Sequence, residues 1–450
     1  MSSNTTEHAP DTQPQSTASL SDHSESIKAP VVKEEYTAKS MTIRVSDPLK
    51  HSDSTQGTYI SYLITTITEV GTFNSTHPRP VRRRFQDFVW LHNALILEFP
   101  ACIVPPLPEK HRLEYIKGDR FSAQFIERRK VSLQWFLDRI AQHPKLQTSQ
   151  CTRIFLESND FRNDKRVTSQ YIPPSATVFQ SLSDTLVNAF TKIRKPDERF
   201  VNMKEVVDKL EDNLGTVERL YNRIGKRQHD LEQDYTSFAD SIQGLSALES
   251  ELTVPLHRFA KTTKAYVSAM KEMTTKEEMF YLNEIHDLLA YCHATKSVLK
   301  ARDQKQMDFE ELSAYLQQAI AERERTLYPR HHVGNRGMVT ITDFVTDKIN
   351  EVRGIDMQRA RREKLSRLEA KITELQDEVA RTNDISDEFS AQVIRDFSVF
   401  ENRKTDELKQ GLAAYADCHI EFFQKGISIW EEILPVLESI SIDDPEQVDR

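Results

Sequence analysis

With 450 residues, 29% of them charged and only 11 glycines, the chain has room for two or three domains and a composition suited to long helices rather than to a sheet-based enzyme. So little glycine leaves scant material for phosphate-cradling loops, and neither the dinucleotide nor the P-loop pattern occurs, which argues against nucleotide chemistry. The four cysteines, Cys102, Cys151, Cys292 and Cys418, lie far apart without paired spacing, so they suggest neither a zinc site nor a disulfide framework and fit a reducing compartment.

No apolar run approaches the ~20 residues that span a bilayer, and the N-terminus lacks the apolar core of a signal peptide. The expectation is a cytoplasmic protein whose membrane contact is peripheral. The net charge of −9 is unevenly spread, because residues 40–160 carry 16 Lys and Arg against 12 Asp and Glu. A basic module on an acidic chain points to an anionic partner for that module. Nucleic acid is set aside, since the basic residues are few and no helix carries a continuous basic stripe.

In chain order, residues 1–38 are rich in Ser, Thr, Pro and charge and read as a disordered tail, its hydroxyls either phosphorylation sites or plain tail composition. Short β-branched runs follow at Met41 to Val45 and Tyr59 to Val70, with Asp47-Pro48 and Gly71 to Pro78 as breaks, and a third near Arg79 to Arg84 closes a small antiparallel sheet. Next comes a helix with Phe88, Leu91, Leu95 and Phe99 on one face.

The stretch Val81-Arg82-Arg83-Arg84-Phe85-Gln86-Asp87-Phe88 thus sits at a strand-to-helix junction. Guanidinium groups match phosphate oxygens, a flat aromatic packs on a sugar-like ring, and helix N-terminal amides favour an anion. The bland alternative is a solvated strand end. The proline-rich segment Val104 to Lys110 is extended, as an SH3 ligand or a connecting loop. From Arg120 to Gln142 a helix is expected with Phe125, Leu133, Phe136 and Ile140 buried. Arg129 falls on that stripe and needs either an anionic ligand or a carboxylate partner.

Three motifs in this order, Arg82 to Phe85, Pro105-Pro106-Leu107-Pro108 with Lys110, and Phe125-Ile126-Glu127-Arg128-Arg129-Lys130, resemble a phox-homology (PX) domain. The resemblance implies that Arg84 binds the 3-phosphate of phosphatidylinositol 3-phosphate, that Phe85 stacks under the inositol, and that Gln86 lines the headgroup site. It further implies that Lys110 contacts the 1-phosphate and Arg129 the 4- and 5-hydroxyls. Relatives often carry Tyr where Phe85 stands, so a hydroxyl contact is lost while stacking survives. By the same resemblance Ile103, Val104 and Leu107 are expected to dip into the bilayer.

Beyond Pro173-Pro174 the segments become long and nearly free of glycine. Phe179, Leu182, Leu186, Phe190 and Ile193 share a face of an amphipathic helix over Val178 to Arg194, which lies either on a membrane or on the following domain. Leu210, Leu214, Val217, Tyr221, Ile224, Leu231, Tyr235, Phe238, Ile242 and Leu245 keep a 3.5-residue period, missing only at Gln228. Residues 256–325 read as another helix, and Leu365 to Trp430 as a third. Rods of this length, on the order of 75–120 Å, need partner helices to cover their apolar seams. Basic residues near the second turnaround, among them Arg325, Arg330, Arg353, Arg361 and Lys364, meet anionic lipid or solvate a helix end.

A PX-like domain, an amphipathic linker and three long helices resemble the PX-BAR sorting nexins, and Thr42 to Pro48 with Thr58 to Thr66 look most like the fungal sorting nexin four (autophagy-related) group. The expected fold is an α+β PX domain followed by an all-α BAR domain of three long coiled-coil helices. Expected boundaries are a tail over 1–38, PX over 39–161, linker over 162–198 and BAR over 199–450.

The resemblance implies a non-enzymatic protein on phosphatidylinositol 3-phosphate membranes of endosomes, and at the preautophagosomal structure. There it retrieves cargo such as SNARE proteins from endosome to Golgi and serves selective autophagy, as a homodimer or with a second PX-BAR sorting nexin. No catalytic residue, metal or cofactor is expected. A lipid-modifying enzyme lacks a catalytic candidate; a retromer-type sorting nexin and a coiled-coil tether carrying a lipid domain stay open.

Overall fold

The computed structural model describes residues 36–53, 57–73, 80–108, 121–171, 196–328 and 357–440, and those from Thr37 onward belong to one unit. Nearly all of the expected tail, Lys110, the amphipathic helix over Val178 to Arg194, and Arg330 and Arg353 lie outside the described residues.

Strands β1 (Met41–Asp53), β2 (Gly57–Thr68) and β3 (Val81–Arg84) form an antiparallel sheet in the order β1-β2-β3. Their β-branched residues alternate between core and surface, as a half-buried sheet requires. The expected break at Asp47-Pro48 proves to be a bulge inside one continuous strand, with the register shifting between Ser46 and Leu49. Proline has no N–H for the ladder, and Asp47 takes up the irregularity at φ 45°, a left-handed conformation that Asp tolerates.

Helix α1 (Phe85–Glu98) starts where β3 ends and buries Phe88, Leu91, Ala94 and Leu95. Helix α2 (Ala123–Ala141) is capped by Ser122, whose hydroxyl accepts the Phe125 N–H at 3.3 Å, and it buries the expected Phe125, Leu133, Phe136 and Ile140. Helices α3 (Gln150–Glu157) and α4 (Phe161–Tyr171) complete the layer over the sheet. The Phe88 ring lies 6.3 Å from Phe136 and 4.9 Å from Phe155, the latter edge-on. Each such side chain contributes roughly 1.5–3 kcal/mol by leaving water.

Among the described residues the second half consists of helices joined by short turns: α5 (Glu198–Ser246), α6 (Thr253–Glu277), α7 (Asn283–Leu327), α8 (Met357–Glu431) and the short α9 (Leu434–Glu438). A π turn over Glu278–Leu282 joins α6 to α7, so the expected three long rods are present. Helix α5 packs on α6 and α7, and α8 on both as well. Cross-helix pairs Glu218–His286 at 2.9 Å, Glu211–His293 at 2.7 Å and Asp208–Lys296 at 2.6 Å descend α5 while ascending α7, which fixes an antiparallel register.

The heptad seam is covered only in part. Leu214 and Tyr221 are buried, whereas Ile224, Leu231, Phe238 and Leu245 are 43–48% exposed, and on α8 Leu412, Ile420, Phe423 and Ile427 are 54–59% exposed. At the far end of α7, the Arg361 guanidinium donates to the carbonyls of Thr326 and Leu327 at 2.7 and 2.6 Å, and Lys364 pairs with Glu322 at 2.9 Å. Arg361 thus satisfies carbonyls that a helix end leaves without partners.

Candidate functional site

Strand alternation sorts the three adjacent arginines into three environments. Arg83 points inward, 4% exposed, donating to the Phe155 carbonyl at 2.8 Å and the Ser158 carbonyl at 2.6 Å, with its guanidinium 4.3 Å from the Phe161 ring. Burial lowers its pKa to about 10, with Asp87 and Asp164 opposing, so it stays charged at neutral pH and ties β3 to the turn after α3. Arg82 points outward and pairs with the carboxylate of Asp47 in the bulge. Arg84 alone arrives at the strand-to-helix boundary, its side chain 37% exposed.

At that boundary the Arg84 N–H donates to Asp87 Oδ2 at 2.9 Å, which orders the first turn of α1. The Arg84 guanidinium lies 5.5 Å from the Tyr59 ring on β2. The next residue, Phe85, is half-buried, and the Arg129 guanidinium sits 4.4 Å from its centre and 4.4 Å from that of Phe125. Contacts of this kind hold the planar guanidinium in place without consuming all of its donors. Beneath lies Tyr62, fully buried, its hydroxyl pushed up to about 12 by burial against the opposing pull of Arg129.

The fold therefore brings Arg84, Phe85 and Arg129 together from β3, α1 and α2. Gln86 is exposed on the first turn of α1, beside Phe85. Lys110 lies outside the described residues. A guanidinium stacked on an aromatic ring, with a second arginine next to it at a helix N-terminus, suits a phosphate attached to a polyhydroxylated ring.

The loop that follows α1 departs from expectation. Ile103 and Val104, expected to enter a bilayer, are 2% and 4% exposed. Ile103 packs among Val207, Leu288 and Phe400 of the long helices, and its N–H donates to Asp396 Oδ2 at 2.7 Å. Leu107 is partly buried against the core of the sheet domain. Apolar residues beside prolines have the same composition in a membrane loop and in a folded core; here the long helices cover Ile103, and the core of the sheet domain takes up Val104 and Leu107.

Sequence reasoning missed this seam altogether. Arg139, on α2, is buried between Asp287 of α7 at 2.5 Å and Glu407 of α8 at 2.8 Å, with the Tyr291 ring 4.5 Å away. Burial opposes its charge, and the two carboxylates more than offset that, so its pKa is raised. Asp287 is raised to about 6 by burial, against the pull of Arg139. Glu284 is raised to about 8 by burial and then by Glu407. It lines a junction cavity of about 310 Å³ together with Asp138, Arg139, Arg403, Asp406 and Glu407.

Nearby, the buried side chains of Cys102, His143 and Asp396 converge within 4.8 Å. His143 Nδ1 accepts the N–H groups of Lys145 and Leu146 at 3.2 Å each, so Nε2 carries the proton and donates to Asp396 at 3.1 Å. Neither ring nitrogen then keeps a lone pair for a metal, and the trio is a hydrogen-bonded clasp. No local spacing announces partners more than 250 residues apart.

Comparison with known proteins places these features in a family. A PX domain profile matches residues 71–159, and a profile described as Vps5 C terminal like matches residues 175–336 and 327–436. Sorting nexin-4 of Cryptococcus neoformans (strain JEC21) is 42% identical over 412 residues, which is 91% of this chain and 83% of that protein. The chain is a PX-BAR sorting nexin of the sorting nexin-4 group. Sorting nexin-4 of Gibberella zeae is 38% identical over 446 residues, 97% of this chain and 96% of the relative. The cryo-EM structure of the SNX-BAR Mvp1 tetramer superposes with a TM-score of 0.52 at 16% identity, covering 87% of this chain and 99% of that one, and shows the shared fold. This sorting nexin thus joins a small antiparallel PX sheet to a long helical BAR region, in a family of peripheral, non-enzymatic trafficking proteins. Among the described residues no helix is long and apolar enough to cross a membrane.

Proposed function

We propose that this sorting nexin binds phosphatidylinositol 3-phosphate through Arg84, Phe85, Gln86, Lys110 and Arg129, and acts on endosomal membranes. The observation that carries the reading is the Arg129 guanidinium stacked 4.4 Å over Phe85, next to the solvent-reaching Arg84 at the start of α1. Arg84 takes the 3-phosphate, the Phe85 ring supports the inositol, and Arg129 holds its hydroxyls; Lys110 takes the 1-phosphate by resemblance.

In this reading residues 39–161 read the lipid, 162–198 link, and 199–450 dimerise. The apolar stripes left open on α5 and α8 support a dimer, with a second copy or another PX-BAR sorting nexin, because so much apolar surface along long helices needs a partner helix. Pairing places two headgroup sites on one particle and multiplies residence by effective concentration. The cellular task in this proposal is retrieval of cargo such as SNARE proteins from endosome to Golgi, with a role in selective autophagy at the preautophagosomal structure.

The test is sedimentation of wild type and Arg84→Ala with vesicles containing or lacking phosphatidylinositol 3-phosphate. Selective wild-type binding, lost in Arg84→Ala while its melting curve and dimer stay unchanged, is the expected result. Equal binding of both proteins refutes the assignment.

A further inference from the structure

The two adjacent arginines of α2, Arg128 and Arg129, face different domains. Arg129 stacks on Phe85, whereas Arg128 pairs with the carboxylate of Glu278, the first residue of the π turn between α6 and α7. Farther along α2, Ser132 accepts a hydrogen bond from Asn283 Nδ2 at 3.0 Å, and Arg139 pairs with Asp287. At about 100° per residue, Arg128, Ser132 and Arg139 lie within about 40° of one another, so they form one row along α2.

Their partners form a row only because of the π turn. In an unbroken α-helix Glu278 and Asn283 would stand about 140° apart, and Glu278 and Asp287 about 180° apart. The wider i→i+5 turn over Glu278–Leu282 absorbs an extra residue and rotates Glu278 back onto the face that meets α2. The Arg128 side chain is only 13% exposed, so its pair with Glu278 is partly shielded from water.

We propose that Glu278 is a positioning residue for headgroup binding: through Arg128 it fixes the rotation of α2 that brings Arg129 over Phe85. The helical domain thereby helps to complete the lipid site. This rests on the headgroup reading above and adds the residue that holds the site in register.

The experiment measures binding of the full chain to vesicles containing phosphatidylinositol 3-phosphate, and to phosphatidylserine vesicles of equal surface charge. Proteins compared are wild type, Glu278→Gln, Glu278→Arg, Arg128→Glu, the Arg128→Glu/Glu278→Arg double variant, and Arg84→Ala. Glu278→Arg is expected to weaken binding to the phosphoinositide vesicles by about three- to tenfold, Glu278→Gln by less, and the double variant to bind better than either charge reversal alone. A loss runs against simple electrostatics, since Glu278→Arg makes the protein more positive and favours phosphatidylserine vesicles. Melting temperatures accompany every measurement; if Glu278→Arg unfolds, the neutral Glu278→Gln carries the comparison. Wild-type affinity in both Glu278 variants, with Arg84→Ala defective, overturns the positioning role and leaves the headgroup site standing. A double variant no better than Arg128→Glu overturns the pairing. Wild-type affinity in Arg84→Ala overturns the headgroup reading itself.

Discussion

Replacing Arg139 with Met tests the seam between the PX domain and the long helices most directly. The substitution keeps an apolar side chain of similar length while removing the guanidinium between Asp287 at 2.5 Å and Glu407 at 2.8 Å, their side chains 4% and 12% exposed. Asp287 then stays in a low-dielectric seam without its countercharge, while Glu407 keeps only Arg403 at 3.6 Å, a loss of about 3–5 kcal/mol. For a cooperative unit running from Thr37 to Arg450 that is a fall in melting temperature of roughly 3–6 °C. The penalty depends on pH in a defined direction. Asp287 already titrates near 6 with Arg139 present, and losing the cation raises it further, so acid neutralises the stranded charge. The gap between wild type and Arg139→Met is therefore widest at pH 8 and narrows as pH falls through 6. The triple variant Arg139→Met/Asp287→Leu/Glu407→Leu should recover most of the loss, because an apolar seam has no charge to leave unpaired. The assay is differential scanning calorimetry at pH 8.0 and 5.5, with proteolysis across residues 172–195 to report release of the PX domain. Equal melting of wild type and Arg139→Met at pH 8 refutes the argument.

Two further outcomes follow. Glu284, lifted to about 8 from 4.5 by burial and Glu407, holds a proton in the native state that the unfolded chain releases, so stability falls as pH rises from about 4.5 to 8. Glu284→Gln removes that slope and should be more stable than wild type at pH 8–9 by on the order of 1–3 kcal/mol, a discounted figure because the carboxyl faces a cavity, with the two converging near pH 4.5; parallel pH profiles in calorimetry count against it. Phe238→Glu with Phe423→Glu places charge on two apolar side chains that are 48% and 59% exposed, and is expected to yield a helical monomer by analytical ultracentrifugation; a persisting dimer shows that these stripes are not the dimer face.

Local chemistry carried much of the candidate site. Arg84 and Phe85 are neighbours in sequence, and the hand-over from period-two strand to helix at Phe85 is a local event, so the cradle's first half was legible. Arg129 was legible because it interrupts an apolar stripe at helical spacing, an arrangement that demands an interaction. Its contact with Phe85 spans 44 positions, yet both follow from elements whose faces are written in their own periodicity.

What stayed hidden depends on distant partners. Arg139 has no local signature that sets it apart from other arginines, and its meaning comes from Asp287 and Glu407 on two other helices. Ile103 was expected to enter a bilayer, and only the long helices packed over it show that it belongs to the seam. The sequence by itself determined the strands, the long heptad-bearing rods and the arginine-aromatic junction, because period, capping and charge act within a few residues. The tertiary structure alone decided the PX–BAR seam, the clasp of Cys102, His143 and Asp396, and the face that the π turn gives Glu278, because buried charges and packed loops take their energy from groups that the chain brings together only on folding.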